Sequence, residues 1–194
     1  MLIDFLQKNI FFRKLIYKLG NSRAKVIIKE IEKELKNGDK ILDIGSGVCN
    51  IAEILLKRNF KLIPLDIKNL SFVDGINPII YDGEKIPFKD KEFDVALIIT
   101  VLHHTPKPEK ILEEAKRVAK KIIVLEDIYT NFFHKHLTFF LDSLVNLEFK
   151  NCPHSNKTDE KWKSLFKKLN LNLKKAKYKR IYLFFKNAYY FLTS

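Results

Sequence analysis

The sequence predicts an α/β fold: a doubly wound, mainly parallel sheet with helices on both faces, preceded by N-terminal helices. Three observations predict it. Short apolar runs alternate with stretches of helical periodicity along most of the chain. The runs are hydrophobic almost throughout, as strands covered on both faces must be. Nearly every run also ends at an acid, a glycine or a hydroxyl, which sets polar groups along one rim, where open parallel sheets bind ligands.

Each element has its own warrant. Phe5 to Leu19 is an amphipathic helix with Leu6, Ile10, Leu15 and Leu19 on or near one face. From Ser22 to Lys36, Ala24, Ile27, Ile28, Ile31 and Leu35 recur at helical spacing, and Gly38 supplies the stop. KILDIG is a buried strand, and Ile51 to Arg58 is a helix. KLIPLD and INPIIYD are strands ending at Asp66 and Asp82. FDVALIIT, the most apolar run, is the central strand. Pro108 to Ala119 is helical with Ile111, Leu112, Ala115 and Val118 inward, and KKIIVLED is the next strand. Beyond it, Phe132 to Leu147 reads as a long apolar helix and NCPHSNKT as a polar loop. Thr158 is an N-cap followed by Asp159 and Glu160, which suit the positive helix end. The final LNLKKAKYKRIYLFFKNAYYFL supplies one or two last strands. We expect one domain over 1–194: N-terminal helices over 1–38, a ligand-binding core over 39–128, and further helices and strands over 129–194.

Composition excludes several classes. At 194 residues and 46% hydrophobic content, the chain has enough material for one real core. No apolar run approaches a membrane span, and charges interrupt the N-terminus where a signal peptide would be uncharged. Cys49 and Cys152 form neither a metal-ligand spacing nor a disulfide framework, the five histidines form no metal site, and a reducing cytoplasm is the expected compartment. The net charge is +13, and Lys150 to Ser194 holds twelve Lys/Arg against Asp159 and Glu160. That face suits phosphates or anionic headgroups. The excess of lysine over arginine fits compositional bias equally well.

The stretch ILDIGSGVCN carries the chemistry. Gly45 and Gly47 permit a tight turn and close approach of a ligand to the backbone, and Asp66 follows at the distance of a ribose-binding acid. A glycine pair alone also fits a structural strand-to-helix turn. A dinucleotide fingerprint needs glycine at Asn50, and Asp43 would repel a pyrophosphate. A cationic sulfonium amino acid suits that carboxylate.

From about Asp39 to Asp127 the chain resembles class I S-adenosylmethionine-dependent methyltransferases, particularly the methyltransferase-11-like group. Their acid-x-Gly-x-Gly-x-Gly motif is matched by Asp43, Gly45 and Gly47, with Cys49 in the last place. Asp66 matches the acid ending the second strand. Asp82, Ile86-Pro87-Phe88, Phe93-Asp94, Leu102-His103-His104 and Arg117-Val118 follow in family order. A Lys-Pro-Gly-Gly turn often present before the fifth strand is replaced by Ala119-Lys120-Lys121.

The resemblance implies a Rossmann-like, seven-stranded methyltransferase fold and S-adenosylmethionine as cofactor. It implies that Gly45 and Gly47 approach the methionyl and ribose portions, that Asp66 takes the ribose hydroxyls and Asp82 the adenine amino group, and that Thr100 holds the amino-acid end. His103 and His104 lie where the acceptor enters; either is a candidate general base, and both also fit a structural cap. Glu126 and Asp127 fit an acceptor-pocket wall or a helix cap. The leading function is methyl transfer to a small-molecule or lipid-like acceptor; Phe132, Phe133, Phe139 and Phe140 fit an apolar acceptor wall and, more simply, core packing, while the amphipathic, basic N-terminus fits peripheral membrane contact and, more simply, a cover for the sheet. The second is RNA methylation using the basic C-terminal face. The third is a cofactor-binding protein without turnover.

Overall fold

The computed structural model describes residues 2–129, 156–181 and 185–194. The chain runs α1 (Leu2–Lys8), α2 (Ile10–Ile31), a 3-10 turn (Glu32–Glu34), β1 (Lys40–Ile44), α3 (Asn50–Lys57), β2 (Lys61–Asp66) and β3 (Ile79–Ile80). There follow β4 (Phe93–Ile99), a second 3-10 turn (Leu102–His104), α4 (Pro108–Val118), β5 (Ala119–Ile128), α5 (Asp159–Lys168), β6 (Asn172–Ile181) and β7 (Phe185–Thr193). The helix expected over Phe132 to Leu147, His134, His136, His154 and the phenylalanine wall fall outside the described residues.

The strands form the expected seven-stranded sheet, in the order β3-β2-β1-β4-β5-β7-β6. β1 to β5 pair in parallel, and β7 is antiparallel to both β5 and β6. Strand order reverses between β1 and β4, so the crevice of a doubly wound sheet opens beyond the carboxyl ends of these two strands.

Side-chain alternation divides the core. Leu42, Ile44, Ala96, Ile98, Ile122 and Val124 pack on one face with Leu112 and Ala115 of α4 and Trp162 and Phe166 of α5. Ile41, Val95, Leu97, Ile123 and Leu125 pack on the other with Ile27, Ile28 and Ile31 of α2 and Ala52 and Leu55 of α3. A residue between Leu42 and Ile44 therefore points to the α2–α3 side. Asp43 is that residue.

Several boundaries differ from expectation. The two N-terminal helices are divided at Asn9, not after Leu19. Asn9 caps α2, its side-chain oxygen accepting from the backbone N–H groups of Phe11 and Phe12 at 3.0 and 3.2 Å. Gly20 does not end the helix; a Cβ there would fall 2.1 Å from Asn50 Oδ1, so glycine lets α2 lie directly on the start of α3. INPIIYD shrinks to a two-residue edge strand, Ile79–Ile80, with both side chains exposed. Pro78 has no N–H for a longer ladder. The helix expected to reach Lys36 ends at Ile31, where a 3-10 turn takes over, whereas Thr158 caps α5 as expected, its hydroxyl accepting from Lys161 N–H at 3.3 Å.

Candidate functional site

The turn after β1 is built from backbone that only certain residues tolerate. Gly45 has φ +71°, and a Cβ on it would lie 2.4 Å from Val101 Cγ2. Its N–H and that of Ser46 donate to Leu65 O at 2.8 and 3.1 Å, which ties the turn to β2. Cys49, in the family's last glycine position, also has positive φ (62°) and is fully buried among Ile41, Ala52 and Leu55. A small side chain is accommodated there at some backbone cost. Burial pushes its thiol pKa up, so the residue packs and does not react.

Asp66 fastens this turn. It is 7% exposed; Oδ2 accepts from Gly47 N–H at 2.8 Å and Oδ1 from Ile67 N–H at 2.7 Å. Oδ1 also accepts from Lys68 N–H at 3.4 Å; a carboxylate oxygen has lone pairs beyond one bond, so Oδ2 can accept a further donor. Asp43 stands beside it, 2% exposed, with Oδ2 buried and unpartnered in the structure. Burial and then the charge of Asp66 raise its pKa to about 7. The native state thus binds a proton that the unfolded chain releases, so the contribution of Asp43 to stability is greatest at low pH and falls as pH rises toward and through 7.

On the far side of the crevice, Thr100 ends β4 with φ 54°, a conformation seldom adopted by a β-branched residue. Its N–H donates to Leu125 O at 2.7 Å, and its hydroxyl donates to Ile99 O at 2.7 Å while accepting from Arg23 at 2.9 Å. Arg23 therefore brings a guanidinium from α2 to the rim. No local pattern marks it, since on a helix it reads as one more solvated cation.

Asp82 lies just past β3, with Oδ1 accepting from Glu84 and Lys85 N–H at 2.8 and 2.9 Å; these bonds lower its pKa. It shapes a turn at the rim, and Tyr81 N–H donates to Asp66 O at 3.1 Å, keeping the two acids on neighbouring strand ends.

The histidines separate. His103 is fully buried with Nδ1 2.5 Å from Glu126 Oε2. His104 is partly exposed, its ring centroid 4.1 Å from that of His103. Glu126, read from sequence as pocket wall or cap, is instead fully buried: Oε1 accepts from Val101 and Leu102 N–H at 3.0 and 2.8 Å, fixing the 3-10 turn that carries both histidines. Asp127 accepts from the Asn187 side chain of β7.

Asp43, Gly45, Gly47, Asp66, Asp82 and Thr100 thus line one rim, joined by Arg23. The residues fit a cationic nucleoside: there is an unpartnered buried carboxylate, a second carboxylate with acceptor capacity, and open space where a Cβ on Gly47 would stand. No group of three or more acids, histidines or cysteines placed to hold a metal occurs among the described residues.

Comparison with known proteins follows this geometry. A family model described as a methyltransferase domain matches residues 42–122. An uncharacterized protein of Methanocaldococcus jannaschii is 38% identical over 97 residues, covering 48% of this chain and 45% of that protein. A sterol 4-C-methyltransferase of Caenorhabditis elegans is 30% identical over 131 residues, covering 60% and 39%. The matches thus span under half the length of these curated relatives. Among solved structures, magnesium protoporphyrin IX methyltransferase from Synechocystis, with bound S-adenosylhomocysteine, superposes with a TM-score of 0.65 at 11% identity, over 96% of this chain and 88% of that one. Residues 42–122 are thus similar to a methyltransferase domain, and the sheet shares the fold of a solved methyltransferase.

Proposed function

We propose that the chain transfers a methyl group from S-adenosylmethionine to a small, lipid-like acceptor. One observation carries this reading: two buried carboxylates flank the glycine turn, and one of them has an oxygen without a partner. A cation placed there favours the ionised form of Asp43, whereas a pyrophosphate would oppose it. When bound, S-adenosylmethionine supplies an electrophilic methyl carbon on a sulfonium. The remaining tasks fall to the chain. Asp43 offsets positive charge, Asp66 accepts ribose hydroxyls while keeping Gly47 in place, and Asp82 accepts from the adenine amino group. Arg23 and Thr100 hold the amino-acid carboxylate.

Methyl transfer needs mainly alignment and exclusion of water. His103, locked against Glu126, positions the turn; His104 is the accessible imidazole for an acceptor proton. His104→Ala is expected to lower kcat by about a hundredfold with S-adenosylmethionine affinity unchanged. An unchanged kcat would leave positioning as the whole of catalysis.

Two points favour a lipid-like acceptor over nucleic acid. Matched relatives named as sterol, squalene and ubiquinone/menaquinone methyltransferases outnumber the one named as a ribosomal RNA methyltransferase. Several lysines of β6 are also occupied within the protein: Lys175 and Lys179 pair with Glu34 and Glu30, and Lys177 donates to Glu30 O.

Calorimetric titration tests the cofactor. S-adenosylmethionine and S-adenosylhomocysteine are expected to bind and NAD not to. Because a cation favours ionised Asp43, S-adenosylmethionine affinity should rise about tenfold from pH 6 to pH 8 and become nearly flat in Asp43→Asn. NAD binding would refute the assignment. Binding without methylated product across sterol and isoprenoid acceptors would instead indicate a cofactor-binding protein without turnover.

A further inference from the structure

Helix α2 is apolar on two faces. Ala24, Ile27, Ile28 and Ile31 are buried against the sheet and α3. On the opposite side, Phe11, Leu15 and Leu19 follow one another at i, i+4 and i+8 and are 70%, 43% and 59% exposed. From α1, Phe5 extends this surface at 56% exposure. The phenyl rings already touch, with Phe12 centroids 6.1 Å from Phe5 and 5.6 Å from Phe11. An ordinary surface helix has one apolar stripe and a polar back, so a contiguous exposed ridge of this kind marks a contact surface.

Charge identifies the partner. At 100° per residue, Lys14, Lys18 and Lys25 fall within about 40° of one another beside the ridge, and all three are exposed. From residue 2 to residue 29 there are seven Lys/Arg and a single acid, Asp4, a local charge of +6. We infer that the outward face of α1 and α2 docks on the headgroup layer of an anionic lipid bilayer, with the phenyl and leucyl side chains in the acyl boundary and the lysines among the headgroups. A symmetric contact with a second copy would bring two such basic surfaces together, and lysine is depleted from protein interfaces. Among the described residues no helix is long and apolar enough to cross a membrane, so the helices lie on the bilayer.

The inner side of the same helices rests on the site. Gln7 donates to Asn69 O and Ser71 O at 3.3 and 3.0 Å, Arg13 pairs with Asp74 at 2.5 Å, and Arg23 donates to Thr100. Docking therefore holds the cofactor rim at the lipid interface, where an apolar acceptor resides. The docking itself does not depend on methyl transfer and is read without cofactor or acceptor.

The test is co-sedimentation of the full chain with vesicles of phosphatidylcholine alone and of phosphatidylcholine with phosphatidylglycerol, at low and high salt. Binding to the anionic vesicles is expected, weakening as salt rises. The triple variant Phe11→Ser, Leu15→Ser, Leu19→Ser should bind about a hundredfold more weakly. These side chains are exposed, so an unchanged circular dichroism melt confirms that the fold is kept. The pair Lys14→Glu, Lys18→Glu should lose the anionic preference, while Lys174→Glu, Arg180→Glu in β6 should change neither. The proposal is overturned if the wild-type chain ignores anionic vesicles, or if the triple variant binds as the wild type does. It is equally overturned if the β6 pair abolishes binding, or if the triple variant only dissolves a dimer that lipid never displaces.

Discussion

Asp66→Ala is expected to weaken S-adenosylmethionine binding by at least about a hundredfold and to destabilise the fold by about 1–3 kcal/mol. The two effects share a cause. The carboxylate accepts from Gly47 N–H and Ile67 N–H while only 7% exposed. Removing it deletes the proposed ribose acceptor and frees the glycine turn at the same moment. Asp66→Asn separates the contributions: its amide keeps one acceptor oxygen, so it should recover most of the stability and little of the affinity. Calorimetry for binding and urea denaturation for stability read the two independently. Unchanged affinity in Asp66→Ala, with the fold intact, would remove Asp66 from the cofactor site.

Glu126→Ala should have the larger effect on stability, about 3–5 kcal/mol. Its buried carboxylate accepts from Val101 and Leu102 N–H and pairs with His103 Nδ1. Truncation removes the acceptor of two backbone donors and the partner of a buried imidazole at once. For a chain of this size the melting temperature should fall by roughly 10 °C. Glu126→Gln keeps one acceptor oxygen and should lose about half as much. A melting temperature within a degree or two of wild type in Glu126→Ala would show that the turn is held by other contacts. Catalysis should also suffer where the fold survives, because the same turn carries His104.

The motif order visible in the sequence has a physical basis in the structure, though only part of it concerns the cofactor. Ile86-Pro87-Phe88 and Arg117 lie about 30 positions apart and are clasped together: Arg117 donates to Ile86 O and Phe88 O at 2.8 Å and pairs with Glu114 and Asp90. Asp94 accepts from Lys40 N–H and pairs with Lys120 at the amino ends of the strands, away from the rim. Those residues support the architecture. The rim acids were legible because strand ends and glycine turns can be read locally. Arg23 and the Glu126–His103 pair were not, because each depends on which distant segments meet. Periodicity reads as two helices, Phe5 to Leu19 and Ser22 to Lys36, where the structure runs one helix over Ile10–Ile31; Gly20 between them serves close packing against Asn50 and not termination.

The lysines of β6 have a consequence for how the chain comes to fold. Lys175, Lys177 and Lys179 bond to Glu34, Glu30 O and Glu30, across 141, 147 and 149 positions of sequence. The first long helix is thus secured by the edge strand β6, and the antiparallel pair β6–β7 completes the sheet edge beside it. On the ribosome α2 emerges well before these partners, which follow it by 141 to 149 positions. Contacts of such separation close late and slowly. Until then a helix with two apolar faces has one face without its finished support, which makes the unfinished chain the state most exposed to aggregation.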